Sequence, residues 1–457
     1  MNINRRRLFA VFAASADAAG AAGAATPAMA RDPADIPARA EIDATALGLH
    51  PNAADDQTLA LQRAIARAAE TRSVLRLPAG IYRTGLQQLP SYAAIAGVAG
   101  ATRIVMTGGP SLFSAIGSDR VALSGLVLDG AGMPLPEGRG LVHLAHGGAA
   151  RIADCEILNS GRNGITLEAI EGDVTGNTIT ASAHYAVFST DARGLKIAGN
   201  TVRGAGNGGI LVWRAKPGDD GTLVADNRIE NIGNRLGGSG EWGNAINIFR
   251  ADNVIVRGNR IRNAAFSAVR GNSASNLQIL GNSCSGLGES ALFSEFSFEG
   301  AVIANNIVDG AFAGITVTNF DQGGRLAVVQ GNLIRNLVAR RPASDPGDTT
   351  TIGIQVEADT VVTGNVLETI PGIGIRAGWG PFLRDVAVNA NVVRGADIGI
   401  AVSVAPGAGT AVIADNLISG ARIGAILGME WKKPVTGELG NDASRYAQLS
   451  IGGNRVR

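Results

Sequence analysis

Aromatic residues and cysteines are scarce in this chain. Aromatic side chains make up 4% of the 457 residues, and only Cys155 and Cys284 carry a thiol. The formal net charge is +1 at pH 7, with acidic and basic residues interspersed. This balance gives no electrostatic basis for binding nucleic acid or an anionic membrane surface. No metal-ligand spacing surrounds either cysteine and no calcium-loop motif is present, so we expect no metal or cofactor.

Long apolar runs are also missing after the first thirty residues, so we do not expect this chain to be an integral membrane protein. Within residues 1–30, the segment Asn-Arg-Arg-Arg-Leu-Phe at 4–9 precedes a short, weakly apolar run, and Ala-Met-Ala at 28–30 suits a signal peptidase. The consecutive arginines resemble a bacterial twin-arginine export signal. We therefore expect residues 1–30 to be removed during export and the mature protein to be periplasmic or secreted.

One sequence pattern, apolar-x-apolar-x-x-Asn-x-apolar, returns from residue 121 onward. Its thirteen copies lie 22 to 38 residues apart, which is a period typical of repeat architectures. Leu126 and Cys155 occupy the asparagine position in the first two copies. The other eleven copies carry Asn177, Asn200, Asn227, Asn259, Asn282, Asn306, Asn332, Asn365, Asn391, Asn416 and Asn454.

A second strand, of the form Gly-Ile-x-Val, follows each asparagine after a short gap, as at 209–212 and 314–317. Both strands alternate apolar residues with residues of any type, as expected for a strand with one buried face. No helical pattern separates the copies, which excludes βαβ units, and the irregular spacing disfavours a propeller. The sequence therefore predicts an all-β parallel β-helix of about thirteen coils, in which each strand stacks on its equivalent in the next coil.

The repeated asparagines are predicted to be structural. Asparagine tolerates the left-handed conformation of a tight turn, and stacked amides can hydrogen-bond along the coil axis. Side chains inside the coil cannot reach a substrate. The same register places Cys155 and Cys284 five coils apart, about 24 Å at the usual strand spacing, so both should be free thiols.

Residues 42–82 add a further signal. The motifs at 43–45 (Asp-Ala-Thr), 55–58 (Asp-Asp-Gln-Thr) and 77–82 (Leu-Pro-Ala-Gly-Ile-Tyr) resemble the opening of pectate-lyase-type and phage tailspike β-helices. With the repeats, they make the chain similar to the pectin-lyase-like right-handed parallel β-helix superfamily. More narrowly, the chain resembles the twin-arginine-translocated repetitive proteins of alpha-proteobacteria.

This resemblance implies a right-handed coil with a helix capping its open end, and an activity as a carbohydrate lyase, hydrolase or epimerase. The residues themselves predict the same helix over 59–69, with Asp55 or Asp56 as its cap. We assign residues 31–73 to an N-terminal segment with this helix, and residues 74–457 to the β-helix domain.

The outward positions of the first strand are mostly aliphatic. So long an apolar row is rarely left bare, and we expect a packed loop or a second copy in a homo-oligomer to cover it. The row consists of Leu223, Ile255, Gln278, Val302, Val328, Val361, Ala387 and Val412.

The outward positions of the second strand instead mix aromatic, charged and amide side chains, and the insertions at 213–221, 233–244 and 338–351 flank them. One row reads Thr166, Phe188, Leu211, Asn247, Arg270, Phe293, Thr316, Gln355, Arg376, Ala401 and Ile426. The row two residues further on reads Glu168, Thr190, Trp213, Phe249, Asn272, Glu295, Thr318, Glu357 and Gly378. We expect a polysaccharide or oligosaccharide to lie along this face between the insertions.

The binding residues are chosen by side-chain chemistry. Trp213, Trp242 and Phe249 have flat rings that can stack on sugars, and Asn247 and Gln355 can bind hydroxyl groups. We expect Arg270 and Arg376 to hold carboxylates of an acidic glycan.

The catalytic candidates are less distinctive. Glu295, beside Arg270, is the first choice for an acid or base, and Glu357 lies two coils away, about 9.6 Å, near the upper end for an inverting pair. His184 is a further candidate base. The paired-Asp, Gly-His-Gly and Arg-x-Lys pattern of polygalacturonases is absent. Two interpretations therefore stay open: a lyase or hydrolase of an acidic glycan, and a non-catalytic glycan-binding or envelope scaffold protein.

Overall fold

The structure of the chain is a computed structural model that describes residues 40–238, 240–440 and 443–457. The predicted signal peptide at 1–30 lies outside the described residues. Residues 40–457 form one compact unit, a β-solenoid of about 14 turns with a single α-helix. The predicted all-β parallel β-helix is confirmed.

The α-helix spans Thr58–Glu70 and caps the end of the solenoid, as predicted. Its buried residues are Leu61, Ala64, Ile65, Ala68 and Ala69, which follow the helical period and form one apolar face. Asp56 Oδ1 accepts a hydrogen bond from the amide of Thr58 at the helix start. Two short 3-10 helices, Ala44–Leu47 and Phe320–Gln322, complete the helical elements of the described residues. None of these helices is long and apolar enough to cross a membrane.

Each turn contributes strands to three parallel ladders. The first-strand ladder is a separate sheet of 16 strands, and it begins with a strand that precedes the α-helix in sequence. Its strands are Glu41–Asp43, Val74–Arg76, Ala94–Ala96, Val121–Ser124, Ala149–Ala153, Glu171–Thr175, Lys196–Ala198, Leu223–Ala225, Ile255–Arg257, Leu277–Leu280, Glu299–Ala304, Arg325–Gln330, Ala358–Thr363, Arg384–Asn389, Ala411–Ala414 and Leu449–Gly452.

The short-strand ladder follows directly after the repeated turn. Its strands are Gly80–Thr84, Thr102–Met106, Val127–Asp129, Glu156–Leu158, Thr178–Thr180, Thr201–Arg203, Arg228–Ile232, Arg260–Ala264, Leu333–Arg335, Leu417–Ser419 and Arg455–Val456. In four turns the short strand runs on into the second strand. These continuous strands are Ser283–Glu295, Ile307–Val317, Val366–Ala377 and Val392–Ser403.

The second-strand ladder carries the face predicted to bind. Its remaining strands are Gln87–Gln88, Phe113–Ile116, Gly140–Ala145, Asn163–Glu168, Tyr185–Thr190, Gly208–Asp219, Asn244–Asp252, Val269–Asn272, Thr351–Val356 and Gly424–Glu430. The last of these turns back as an antiparallel hairpin with Lys433–Glu438.

The short-strand ladder was not predicted from the sequence. A strand such as Thr201–Arg203 has three residues, of which only Val202 points inward. One inward side chain cannot show the two-residue alternation by which a strand is recognised. The pattern therefore left these residues in the short gap between the two predicted strands.

The asparagine ladder forms as predicted, without a break from Asn177 to Asn454. The side-chain amide of each asparagine donates to the amide oxygen of the next at 2.9–3.0 Å, for example Asn200 Nδ2 to Asn227 Oδ1 at 3.0 Å. Each also donates to a first-strand carbonyl, as Asn200 does to Val174 at 2.8 Å. The ladder therefore satisfies the buried polar groups at one corner of the coil.

The conformational reason given for these asparagines was wrong. The left-handed residue is the one before each ladder position, such as Gly199 (φ 66°), Asp226 (φ 57°) or Ala390 (φ 53°). No ladder asparagine has a positive φ. The turn is thus made by its neighbour, and the asparagine is selected for its side-chain hydrogen bonds.

Both cysteines are free and buried, as predicted. Strand pairing places Cys284 beside Ile261 and Val308, five coils beyond Cys155. Burial raises the pKa of Cys155 to about 11 and that of Cys284 to about 12. Neither thiol is therefore ionised or reactive at neutral pH.

Candidate functional site

Strand pairing aligns the first outward row of the second-strand ladder as predicted, with one exception, and the second row from Glu168 to Glu295. Ala401 lies opposite Leu427, and Ile426 points inward against Ile400, so the placement of Ile426 in the outward row was wrong. The outward row of first strands is also aligned as predicted, and Val302 and Val412 within it are exposed. Whether a partner covers that row stays a prediction.

An aromatic patch occupies the second-strand face near its middle. Phe188, Trp213 and Phe249 lie on three consecutive turns, with ring centroids 5.3 Å apart for the first pair and 5.5 Å for the second. Trp242 stacks near Trp213, with centroids 6.4 Å apart and planes 24° apart. All four rings are only partly buried, so part of each remains accessible to solvent.

The backbone and polar neighbours fix the rings of this patch. Trp213 Nε1 donates to Asn247 Oδ1 at 3.0 Å, so Asn247 orients the indole and is itself buried. Gly243 has φ 84°, and a Cβ there would meet the Phe266 ring at 2.9 Å, so only glycine allows the loop to bring Trp242 over the face.

His184 and Tyr185 border the patch, with Trp242 6.2 Å and 6.1 Å away, respectively. Burial, with a contribution from Arg162, lowers the pKa of His184 to about 4. The imidazole is therefore neutral at pH 7 and could accept a proton only in acid. It can serve as an uncharged hydrogen-bonding group at the edge of the patch.

Arg270 lies at the centre of a buried charge cluster. Its Nε is 2.7 Å from Glu295 Oε1, and its Nη1 is 3.0 Å from Glu289 Oε2 and 2.9 Å from the carbonyl of Gly240. Asn272 also donates to Glu295 at 3.1 Å. The predicted neighbourhood of Arg270 and Glu295 is thus present, but protein groups already satisfy both side chains.

A loop at 338–351, which we call the strap loop, joins this cluster from the coil that carries Gln355, three turns beyond Arg270. Arg341 Nη2 lies 3.6 Å from Glu289 Oε1 and also pairs with Asp345. Ser344 accepts a hydrogen bond from Asn234 Nδ2 at 3.0 Å, which links the strap loop to the loop that carries Trp242. The strap loop and the residues that it contacts all lie just before the second strand of their own coil. The strap loop therefore forms one wall of the second-strand face.

Sequence reasoning missed Glu289 and Arg341. Glu289 lies where the strand Ser283–Glu295 shifts register between Leu287 and Ser290. Such an irregularity breaks the alternation that was used to assign outward positions. Burial raises the pKa of Glu289 more than Arg270 lowers it, so this carboxylate depends on its cationic partners.

Glu357 differs from Glu295 because no cation neutralises it among the described residues. It is 5% exposed and accepts a hydrogen bond from the amide of Phe320 at 2.8 Å. Burial raises its pKa to about 7, with the Phe320 and Asn319 amides opposing the shift. A carboxyl group with this pKa can both donate and accept a proton near neutrality.

Arg376 and Gln355 continue the outward row beyond the cluster, on neighbouring turns. The Arg376 guanidinium lies 5.1 Å from the ring centroid of Trp379, a residue that was not predicted to take part. Gln355 is partly buried. The structure thus separates the predicted residues into the aromatic patch, the Arg270 cluster and a carboxy-terminal group around Arg376.

Comparison with known proteins agrees with this architecture. The family model described as "Right handed beta helix region" matches residues 137–229 and 174–336. The chain is a right-handed parallel β-helix. This match and the fold support the wider superfamily to which the sequence was compared, while the narrower twin-arginine family stays a prediction.

Solved structures extend the likeness over most of the chain at low identity. Tailspike protein 3 of bacteriophage CBA120 aligns with a TM-score of 0.54 and 12% identity, over 90% of this β-helix and 61% of the tailspike. The pre-mature gene product 12 of bacteriophage phi29 aligns with a TM-score of 0.51 and 14% identity, over 85% and 55%. The catalytic unit of an alpha-1,3-glucanase from Streptomyces thermodiastaticus aligns with a TM-score of 0.45 and 14% identity, over 93% and 69%. No curated protein matches the sequence significantly.

Proposed function

We propose that this β-helix binds a polysaccharide along its second-strand face, with the aromatic patch as the anchor. The observation that supports this most is the row of part-exposed rings Phe188, Trp213 and Phe249 on consecutive turns, overlaid by Trp242. Flat aromatic surfaces stack on sugar rings, and Trp and Tyr combine a large apolar area with a polar group. The resemblance of the sequence to the pectin-lyase-like superfamily supports the same class of ligand.

The geometry favours glycan binding over catalysis in which Glu295 and Glu357 act as a pair. Glu295 is held by Arg270 and Asn272 and is 4% exposed at its side chain, so a substrate would have to displace two protein contacts to reach it. The non-catalytic interpretation is therefore our first proposal. We propose further that the protein acts outside the cytoplasm, after export through the twin-arginine pathway.

Glu357 supports a second candidate function, the lyase or hydrolase of an acidic glycan. Its pKa of about 7 suits a general acid or base, and it directly follows the strand Thr351–Val356 of the second-strand ladder. In this alternative Glu357, rather than Glu295, transfers the proton.

One binding experiment tests the first proposal. Affinity electrophoresis against a panel of neutral and uronate-rich polysaccharides should show retardation of the parent protein by at least one of them. Trp213→Ala and Trp242→Ala should each weaken that retardation about tenfold, since one stacked ring contributes on the order of 1 kcal/mol or more. Leu59→Ala, which removes an exposed apolar side chain from the capping helix, is the matched control and should leave binding unchanged.

The same panel distinguishes the second candidate. Release of unsaturated products or new reducing ends by the parent protein, abolished in Glu357→Gln with binding retained, would establish catalysis. Unchanged retardation in both tryptophan variants would place the binding site elsewhere and refute the first proposal.

A further inference from the structure

A second aromatic group covers the carboxy-terminal turns of the same face. The hairpin of Gly424–Glu430 and Lys433–Glu438 folds its tip over these turns, so that Trp431 lies 5.5 Å from Trp379, in an edge-on arrangement. A Cβ on Gly380 would approach the Trp431 ring within 2.5–2.6 Å, so the indole packs directly on the glycine backbone. Lys432 fixes the tip through an ion pair of 2.7 Å with Asp348.

Arg376 lies within this group without a salt-bridge partner among the described residues. It is 6% exposed, its guanidinium is over the Trp379 ring, and its Nε has no hydrogen-bond partner. It forms no salt bridge with any residue that the structure describes. Burial lowers the pKa of Arg376 to about 10, and Asp348 only partly offsets this effect.

Arg270 provides the internal comparison. The two arginines occupy equivalent outward positions of one row, four turns or about 19 Å apart. Arg270 is neutralised by Glu295 and Glu289, whereas no described carboxylate forms a salt bridge with Arg376, and the nearby Asp348 is paired with Lys432. A buried charge without a partner is destabilising, and such groups are retained where a ligand or function requires them.

We propose that Arg376 and Trp379 form a subsite that binds the carboxylate of an acidic sugar, which makes uronate-containing polysaccharides the preferred ligands. The planar guanidinium matches a carboxylate, and its stacking on Trp379 leaves the edge nitrogens available as donors. Trp431, which is 47% exposed, offers an adjacent ring for the same sugar. This inference rests on the proposed function, because the subsite lies on the face that carries the aromatic patch, six turns or about 29 Å beyond Trp213.

The experiment compares one uronate polysaccharide with its carboxyl-reduced, neutral form by isothermal titration calorimetry. The parent protein should bind the acidic form about 10-fold to 100-fold more tightly, the usual contribution of a hydrogen bond to a charged group. Arg376→Gln should remove this preference and leave affinity for the neutral form unchanged. Arg394→Gln, an exposed arginine of another ladder, makes the same charge change and should keep the preference.

Two further measurements distinguish a failure of this inference from misfolding of the variant and from a failure of the proposed function. Arg376→Gln should melt at or above the temperature of the parent, because it removes an uncompensated buried charge. An equal affinity of the parent for both forms, or an undiminished preference in Arg376→Gln, would overturn the acidic subsite while leaving glycan binding intact. If the parent protein binds neither form and also binds no other neutral polysaccharide, the proposed function and this inference are both overturned.

Discussion

At the scale of single residues, the asparagine ladder shows how one side chain organises a corner of the fold. Each asparagine donates to the next asparagine and to a first-strand carbonyl, and accepts from a backbone amide, so three buried polar groups depend on it. Because these groups lie inside the coil, loss of one amide leaves donors and acceptors without partners.

Asn259→Ala is expected to lower the free energy of unfolding by about 1–3 kcal/mol, the usual cost of unsatisfied buried polar groups. The decrease should appear as a lower melting temperature in calorimetry. Polysaccharide binding below the melting temperature should be unchanged. Loss of binding at an unchanged melting temperature would contradict the structural role of the ladder.

Glu357 gives a prediction for the pH dependence of stability. Its pKa rises from an ordinary value of 4.5 to about 7 on folding, so the folded state binds the proton more tightly. The stabilisation is complete below pH 4.5 and is lost as the pH rises through 7. Glu357→Gln retains an acceptor for the Phe320 amide but cannot ionise. Its melting temperature relative to the parent should therefore increase between pH 5 and pH 8, by the equivalent of about 1–3 kcal/mol. A difference that is constant with pH would show that Glu357 titrates normally.

At the scale of elements, the regular strands could be predicted and the irregular ones could not. The second strands that carry Trp213, Arg270 and Arg376 alternate inward and outward over four or more residues, so the rows containing these residues were aligned from sequence alone. Three-residue strands are too short to show a sequence period, and the register shift beside Glu289 interrupts the period of a longer strand. The positions at which loops fold back onto the strands also have no sequence period. The contacts of Arg341 and of the Trp431 hairpin were missed for this reason.

The Arg270 cluster joins three elements: the strand Val269–Asn272, the strand Ser283–Glu295 and the strap loop. Arg270→Met should destabilise the protein by about 3–5 kcal/mol, because it leaves Glu289 and Glu295 buried without their main cation. Denaturant unfolding measures the loss. Arg257→Met, at an exposed arginine 4.0 Å from Asp226, is the matched control and should change stability by less than about 1 kcal/mol. A neutral effect of Arg270→Met would mean that the cluster does not hold these elements together.

At the scale of the whole molecule, the solenoid presents faces of different character. The first-strand row is aliphatic, with exposed Val302 and Val412, whereas the second-strand face gathers rings and charges from the aromatic patch to the carboxy-terminal hairpin. Stacking of turns places the aromatic patch and Arg376 on one line along the axis, which suits an extended polymer rather than a small ligand. This division of surfaces is the basis of the proposed function.

A crystal structure of the protein with a bound uronate oligosaccharide tests the proposed function most directly. We expect sugar rings stacked on Trp213 and Trp242 along the second-strand face, with a ligand carboxylate about 3 Å from Arg376 when the oligosaccharide spans the turns between them. Ligand density on the first-strand face, on the short-strand face or at the capping helix would contradict it.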